Sequence, residues 1–281
     1  MQSFDLYTRG FGILKDNPIA LVPVVAIFFA VFLVAMIAAA IAVAFFVDLG
    51  GASSSAGIAS ILVPAILAVV IIVLLLSLSV GVIIQGMYVA IAQQGLRGRI
   101  SLQDAFDLSL KRVKDLFLFN ILCILIVAVI AIAVIAISMG SIESLLSYLR
   151  GYSQGTGSSI ALILAVLGTI LPMVIEFWIA MFVINIAIYA AVPLIVLEKL
   201  GPLKAVRRSI GIAKKRYLSI ISVQLLGAIV FGALYGLQVF LNFIPLLGWI
   251  ASVAISIFGT AWMQIIPTLF YFSYVKGKPR S

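Results

Sequence analysis

The sequence predicts an all-α membrane protein: a polytopic bundle of six transmembrane helices in three parallel-oriented repeats, each preceded by a cytoplasmic amphipathic helix. Three observations carry this reading. Of 281 residues, 65% are hydrophobic and only 10% charged, with a mean hydropathy of +1.33, whereas roughly a quarter of the residues of soluble domains are charged. The apolar residues fall into six runs, 19–47, 58–95, 116–138, 159–197, 217–240 and 248–273, each long enough for the roughly 20 helical residues that cross a hydrocarbon core about 30 Å thick. If each run crosses once, the amino end, the segments 96–115 and 198–216, and the tail from Lys276 share one side, and together they hold every one of the 18 Lys and Arg except Arg150. Cationic loops are retained in the cytoplasm, so a cell-membrane protein with both termini cytoplasmic is expected.

Taken in order, segment 1–16 reads as a short in-plane helix begun at Ser3, with Phe4, Tyr7, Phe11 and Leu14 at helical spacing. Run 19–47 carries no internal charge and is far longer than the roughly 7–15 residues of a cleavable signal core, so it is a retained first span. Residues 48–57, "DLGGASSSAG", form an outer connection. Runs 58–95 and 159–197 approach roughly 60 Å at about 1.5 Å per residue, twice the hydrocarbon thickness. Each is assigned one crossing, because splitting either would scatter the basic loops over both faces; whether the helix inside is continuous or broken stays open.

A second in-plane helix follows Ser101, which with Asp104 resembles a capping box, and presents Leu102, Phe106, Leu110 and Val113. In the outer segment 141–158 a short surface helix capped by Ser141 leads into a Ser/Gly-rich stretch. In the fourth run Pro172, four residues before Glu176, frees a backbone carbonyl and is the candidate position for a break. Gly201-Pro202 then places proline in the first turn of a third in-plane helix, with Leu203, Val206, Ile210, Ala213 and Tyr217 at its apolar positions. Residues 241–247, "LNFIPLL", are a tight uncharged turn between the last two spans.

The in-plane helices repeat. "AFDLSLKRVKDLFL" (105–118) aligns without gaps on "AVRRSIGIAKKRYL" (205–218), matching Ala105 to Ala205, Ser109 to Ser209, Lys114 to Lys214 and Leu118 to Leu218. "LYTRGFGILKDNPI" (6–19) fits the same frame, with Lys15 at the position of Lys114. The chain thus divides, within one membrane domain, into units of approximately 1–98, 99–198 and 199–281. Two crossings per unit give all copies one orientation, unlike the inverted repeats of many transporters. The Pro-x-(Asp/Glu)-x-x-(Lys/Arg) signature of the parallel-repeat mitochondrial carriers is missing, and "PLIVLEK" (193–199) does not satisfy it.

The three surface segments differ in charge. The first two balance their acids and bases, whereas Lys204, Arg207, Arg208, Lys214, Lys215 and Arg216 have no acidic residue within their own segment. They are therefore assigned to lipid headgroups, where each basic residue contributes about 1 kcal/mol near anionic lipid. Retention of the loop in the cytoplasm and docking of an acidic protein are the competing readings.

Glu176 is the one ionisable group deep in an apolar run, and such groups are functional hypotheses by default. Its distance from Glu198 also fits an interfacial, structural glutamate at the outer boundary. Gln85, Asn185 and Gln264 lie toward the inner halves of spans two, four and six, with amides placed to hydrogen-bond between helices. Trp178 and Trp249 suit interfacial anchoring, Trp262 sits deeper and packs, and the lone Cys123 reads as an inert core residue.

With no histidine in the chain, the usual general base and the commonest metal ligand are missing. Paired intramembrane aspartates and nucleotide-binding glycine loops are missing as well. The sequence therefore predicts no catalytic residue, no metal site and no cofactor, and without exposed aromatic platforms no nucleic-acid partner.

"PLIVLEKLGPLKAVRRSIGIAKKRYLSIISVQLL" (193–226) and the closing "PTLFYFSYVKGK" (267–278) resemble the membrane domain attached to some glycerophosphoryl diester phosphodiesterases, and related stand-alone multi-span proteins of bacteria and archaea. That resemblance implies a membrane domain associated with lipids or envelope partners. The phosphodiesterase activity of that family belongs to a separate soluble barrel for which this chain has no room, so no catalytic residue carries over. The expectation is a non-enzymatic membrane protein, lipid-interacting or a scaffold, with membrane lipids, an envelope protein or a second copy as partner. A transporter or channel for a small solute or ion using Glu176 is the alternative.

Overall fold

The computed structural model describes residues 3–26, 28, 29, 33, 36, 78–154 and 158–275. Of the first apolar run only residues 19–26, 28, 29, 33 and 36 are among them, and residues 37–77 and the tail from Lys276 lie outside. The described residues are almost wholly helical with no strand, and five helices are long and apolar enough to cross a membrane: Leu78–Gly95, Val113–Ile137, Ser159–Leu197, Pro202–Leu241 and Ile250–Val275.

Helix α1 (Ser3–Asp16) has Asp5 in its first turn and Lys15 in its last, each opposite in sign to the helix end it occupies. Pro18 opens a 3₁₀ turn, Pro18–Leu21, from which a helix starts at residue 22. Helix α2 (Leu78–Gly95) ends before Gly98, whose φ of +75° is the left-handed geometry that glycine adopts at no steric cost. Ser101 then caps α3 (Leu102–Leu110), its Oγ accepting from the Asp104 N–H at 3.3 Å, as the sequence predicts.

A turn at Lys111 and Arg112 leads into the membrane helix α4 (Val113–Ile137). The outer helix α5 (Met139–Ser153) corrects the expected cap: it begins before Ser141, which lies inside it, and the Ser141 carbonyl accepts from Thr169 Oγ1 at 3.2 Å. Helix α6 (Ser159–Ile188) carries Pro172 within it, so the candidate break does not occur there. The break comes at Tyr189–Ala190, ahead of the short α7 (Ala191–Leu197). Pro193 explains it: proline has no N–H to return to Tyr189 and its ring crowds that carbonyl.

Helix α8 (Pro202–Leu241) joins the basic segment 202–216 to the fifth apolar run through a kink at Arg216, φ −131° and ψ 22°. The corresponding break after α3 falls about one turn earlier, so the third in-plane helix is longer than the gapless alignment predicts. Helix α9 (Pro245–Phe270), with Pro267 inside, passes into a π-helical turn, Tyr271–Val275.

Burial is concentrated at one end of the bundle. Two clusters, one around Leu6, Tyr88, Ile91 and Phe270 and one around Leu116, Leu194, Ile195 and Tyr271, lie where the short amphipathic helices meet one end of the long apolar helices. Farther out the helices are apolar and exposed, and only 6% of the most apolar stretch of α4 is buried. Hydrocarbon is as apolar a neighbour as leucine, so these faces need no protein cover.

The expected apolar stripes are buried only in part. Tyr7, Leu14 and Ala213 face protein as predicted, whereas Phe4, Phe11, Phe106, Leu110, Leu203, Ile210 and Tyr217 are exposed. The buried positions recur at i, i+4 and i+8: Leu6, Gly10 and Leu14 in α1, Ala105 and Ser109 in α3, and Ala205, Ser209 and Ala213 in α8. In α3 and α8 these are small side chains, which let a helix lie close against its neighbour. The aligned positions Gly10, Ser109 and Ser209 are all buried at such contacts.

Ser109 Oγ donates to the Ile83 carbonyl of α2 at 2.5 Å. Ser209 Oγ accepts from the Ala190 N–H at 3.2 Å, supplying a partner at the break in the fourth span. At Gly10 an added Cβ would come within 3.0 Å of Trp262 in α9, whose indole Nε1 donates to the Tyr7 carbonyl at 3.0 Å. Trp262 thus packs, as expected from its depth.

Tyr7 secures α1 a second time, its hydroxyl donating to the Val223 carbonyl of α8 at 2.8 Å. Burial pushes this phenol up to about 12, so it stays a neutral donor through the physiological range. Tyr7→Phe is expected to cost about 1 kcal/mol, the net worth of one hydrogen bond, seen as a lowered Tm with no dependence on pH between about 6 and 9.

Candidate functional site

Five of the six predicted headgroup residues, Lys204, Arg207, Lys214, Lys215 and Arg216, are exposed and form no ion pair with any described residue. Arg208 departs from the expectation that the segment lacks an acidic partner. Its guanidinium pairs with Glu198, the residue that ends α7, and the same carboxylate accepts from Tyr271 Oη at 2.5 Å. Glu198 therefore ties the end of α7 to the first half of α8 and to the π-helical turn that follows α9. The left-handed backbone at Lys199, φ 59°, directs the chain from Glu198 into α8.

Beside this junction the chain forms an open cleft of about 440 Å³ lined by Arg208, Gly211, Ile212, Lys215, Arg216, Tyr274 and Val275. Its position follows from the local sequence. Arg208, Gly211, Ile212 and Lys215 are three or four residues apart or adjacent on one helical face, and the kink brings Arg216 to the same rim. The floor comes from two in-plane residues without charge, Gly211 and Ile212, and from the carboxyl end of α9. Three cations thus ring a partly apolar recess, a donor set suited to a phosphate whose attached chains continue along apolar surface. Lys204, Arg207 and Lys214 stand outside this lining and add charge around it.

The intramembrane candidates separate into two places. Glu176 is exposed on α6 and forms no ion pair or hydrogen bond with a described residue. It lies about 33 Å along the chain from Glu198 at about 1.5 Å per residue, in keeping with an outer-boundary position. Trp178, two residues on, is exposed as an interfacial anchor would be, and the side chain of Trp249 lies outside the described residues. Cys123 is half-buried against the second cluster.

Gln85, Asn185 and Gln264, by contrast, come together. They line one cavity of about 170 Å³ between α2, α6 and α9, with Thr268 and the two prolines Pro193 and Pro267 in the same wall. The expected interhelical amide bond is formed by Gln85, whose Oε1 accepts from Asn120 Nδ2 of α4 at 3.1 Å, whereas Asn185 and Gln264 form no side-chain hydrogen bond with described residues. Thr268, fully buried, has a hydroxyl with no hydrogen-bond partner among the described residues. Asn120 and Thr268 were not singled out by their sequence positions, since an isolated polar residue in an apolar run carries no sign of what it will face.

No family model, curated protein or solved structure matches the chain.

Proposed function

We propose that this chain is a non-enzymatic multi-pass protein of the cell membrane that holds an anionic lipid headgroup on its cytoplasmic face, in the cleft between the third in-plane helix and the end of α9. The observation that carries the proposal is the convergence of Arg208, Lys215 and Arg216 around the apolar floor formed by Ile212 and Val275. Six spans in three parallel units with both termini cytoplasmic are part of the same reading. What supports them is the burial of Gly10, Ser109 and Ser209, three aligned positions, each against a different membrane helix. The outward large residues of the in-plane helices, such as Phe106 and Leu203, support their lying in the membrane surface. The resemblance to the phosphodiesterase-associated membrane domain is compatible with a lipid-facing role and is retained on those terms.

The test is titration of the purified full chain, in neutral-lipid nanodiscs, with a short-chain phosphatidylglycerol. Lys215→Gln combined with Arg216→Gln removes two headgroup cations and leaves the Arg208–Glu198 pair in place. At about 1 kcal/mol each, affinity should fall roughly thirtyfold, and wild-type binding should weaken as salt is raised. Equal affinity of variant and wild type, or binding insensitive to salt, would remove the headgroup assignment.

A further inference from the structure

The amide-lined cavity gathers more hydrogen-bonding groups than the protein satisfies. Gln85 and Gln264 lie beside residues that the short helices cover, Gly86 against Ser109 of α3 and Trp262 and Ile266 against Gly10 of α1. An unpaired amide or hydroxyl buried among such packed residues costs free energy that packing does not return. Yet the lining gathers three side-chain amides from three helices together with the buried Thr268 hydroxyl, which has no hydrogen-bond partner among the described residues. Pro193 and Pro267 add to this, because neither returns an N–H to the carbonyl four residues before it, Tyr189 or Met263. The surplus is of hydrogen-bonding capacity on both sides, with amide N–H donors, amide oxygens and a hydroxyl.

None of the lining residues is ionisable apart from Tyr189. An ion entering this recess would lose its hydration without meeting an opposite charge, at a cost of several kcal/mol. A neutral molecule with donors and acceptors loses far less and satisfies the groups left open. Size narrows the class further. A cavity of about 170 Å³ admits a small molecule rather than a chain or a folded partner. Asn185 is exposed and stands at the mouth, while Thr268 closes the interior. A carboxamide matches the lining group for group, its NH₂ donating to an amide oxygen while its carbonyl accepts from an NH₂ or from the Thr268 hydroxyl.

We propose that the cavity between α2, α6 and α9 is a binding site for a small uncharged carboxamide-bearing solute, oriented by Gln85, Asn185, Gln264 and Thr268. The site is separate from the headgroup cleft, shares no lining residue with it, and stands or falls independently of it.

The probe is propionamide, with propionate as a charged molecule of the same shape, and the measurement is saturation-transfer NMR on the full chain in neutral nanodiscs. Propionamide should bind saturably and propionate at least about tenfold more weakly. Thr268→Val keeps the side-chain shape and removes a hydroxyl that has no partner among the described residues, so it should weaken propionamide binding about tenfold while leaving Tm unchanged or raised. Gln264→Leu should weaken binding by a similar factor; if it fails to fold, Asn185→Leu at the exposed mouth reads the same loss. A signal that does not saturate, equal binding of propionate, or full binding in Thr268→Val and Asn185→Leu would each overturn the proposal. So would a saturable signal lost on neutralising Lys215 and Arg216, which would move the solute to the headgroup cleft.

Discussion

Gly86→Ala should be among the most damaging single-methyl changes in this protein, lowering stability by about 3 kcal/mol, whereas Gly81→Ala in the same helix should be neutral or stabilising. The two glycines differ in what an added Cβ would meet. At Gly81 there is open space, and the intrinsic preference of helices for alanine over glycine, about 1 kcal/mol in water, favours the substitution. At Gly86 the new methyl would press on Ser109 Oγ, approach Ser109 Cβ to 2.9 Å and Leu116 Cδ1 to 3.0 Å.

Rotating the Ser109 hydroxyl aside gives up its bond to the Ile83 carbonyl and leaves the Cβ contact in place. Leu116 is fully buried and has no room to retreat. Overpacking of this kind costs typically about 1–3 kcal/mol, with about 1 kcal/mol more for the hydrogen bond. Thermal unfolding in detergent, with the two variants side by side, reads the difference. Equal Tm values would mean that α3 does not rest on α2 through this contact. Because Ser109 is the aligned counterpart of Ser209, a parallel loss from Ser209→Val would extend the same logic to the break in the fourth span.

How much of this was legible in the sequence depends on which physical property each feature expresses. Hydrocarbon thickness is a one-dimensional constraint, so the long apolar helices and the short charged helices between them could be read directly. The same holds for Ser101 and Pro202, whose roles depend on neighbours one turn away. The buried face of α1, α3 and the start of α8 could be read that way only in part. Tyr7, Leu14 and Ala213 are buried as the spacing predicts. Periodicity also selects large apolar residues such as Phe106 and Leu203, which beside a bilayer have lipid as an equal alternative, and in α3 and α8 close packing falls to Ala105, Ser109, Ala205 and Ser209.

The helix break shows a related limit. Pro172 and Pro193 carry the same local disability, and tertiary contact decides between them, since the Ala190 N–H finds Ser209 while α6 continues through Pro172. At the candidate sites the missing information was long-range. Balancing charge within segment 201–216 overlooked Glu198 because it belongs to the end of the preceding span, and the convergence of Gln85, Asn185 and Gln264 joins residues from three helices.

Glu198→Gln is expected to move two properties in opposite directions. The carboxylate holds the Arg208 guanidinium and accepts from Tyr271 Oη, so one substitution loosens the end of α7, the first half of α8 and the π-helical turn after α9 together. The Arg208 side chain is 51% exposed and that of Glu198 20%, so solvent screens much of the ionic part and the loss is set below the range for a fully buried pair. About 1–2 kcal/mol is expected, with glutamine still able to accept from Tyr271. Lipid affinity should respond the other way. Arg208 already lines the cleft with Lys215 and Arg216, and Glu198 is the nearby anion that offsets it. Neutralising that anion frees about one cation for the headgroup, worth about 1 kcal/mol or roughly a fivefold gain in affinity.

A merely structural role for Glu198 predicts lower Tm together with weaker or unchanged binding. Lower Tm with tighter, more salt-sensitive phosphatidylglycerol binding is therefore the signature that separates a carboxylate restraining a headgroup site from one that only braces the fold. If Glu198→Gln weakened lipid binding, the cleft would depend on the geometry that the pair imposes more than on the charge it offsets. Arg208 would then belong to the scaffold, leaving Lys215 and Arg216 as the headgroup contacts.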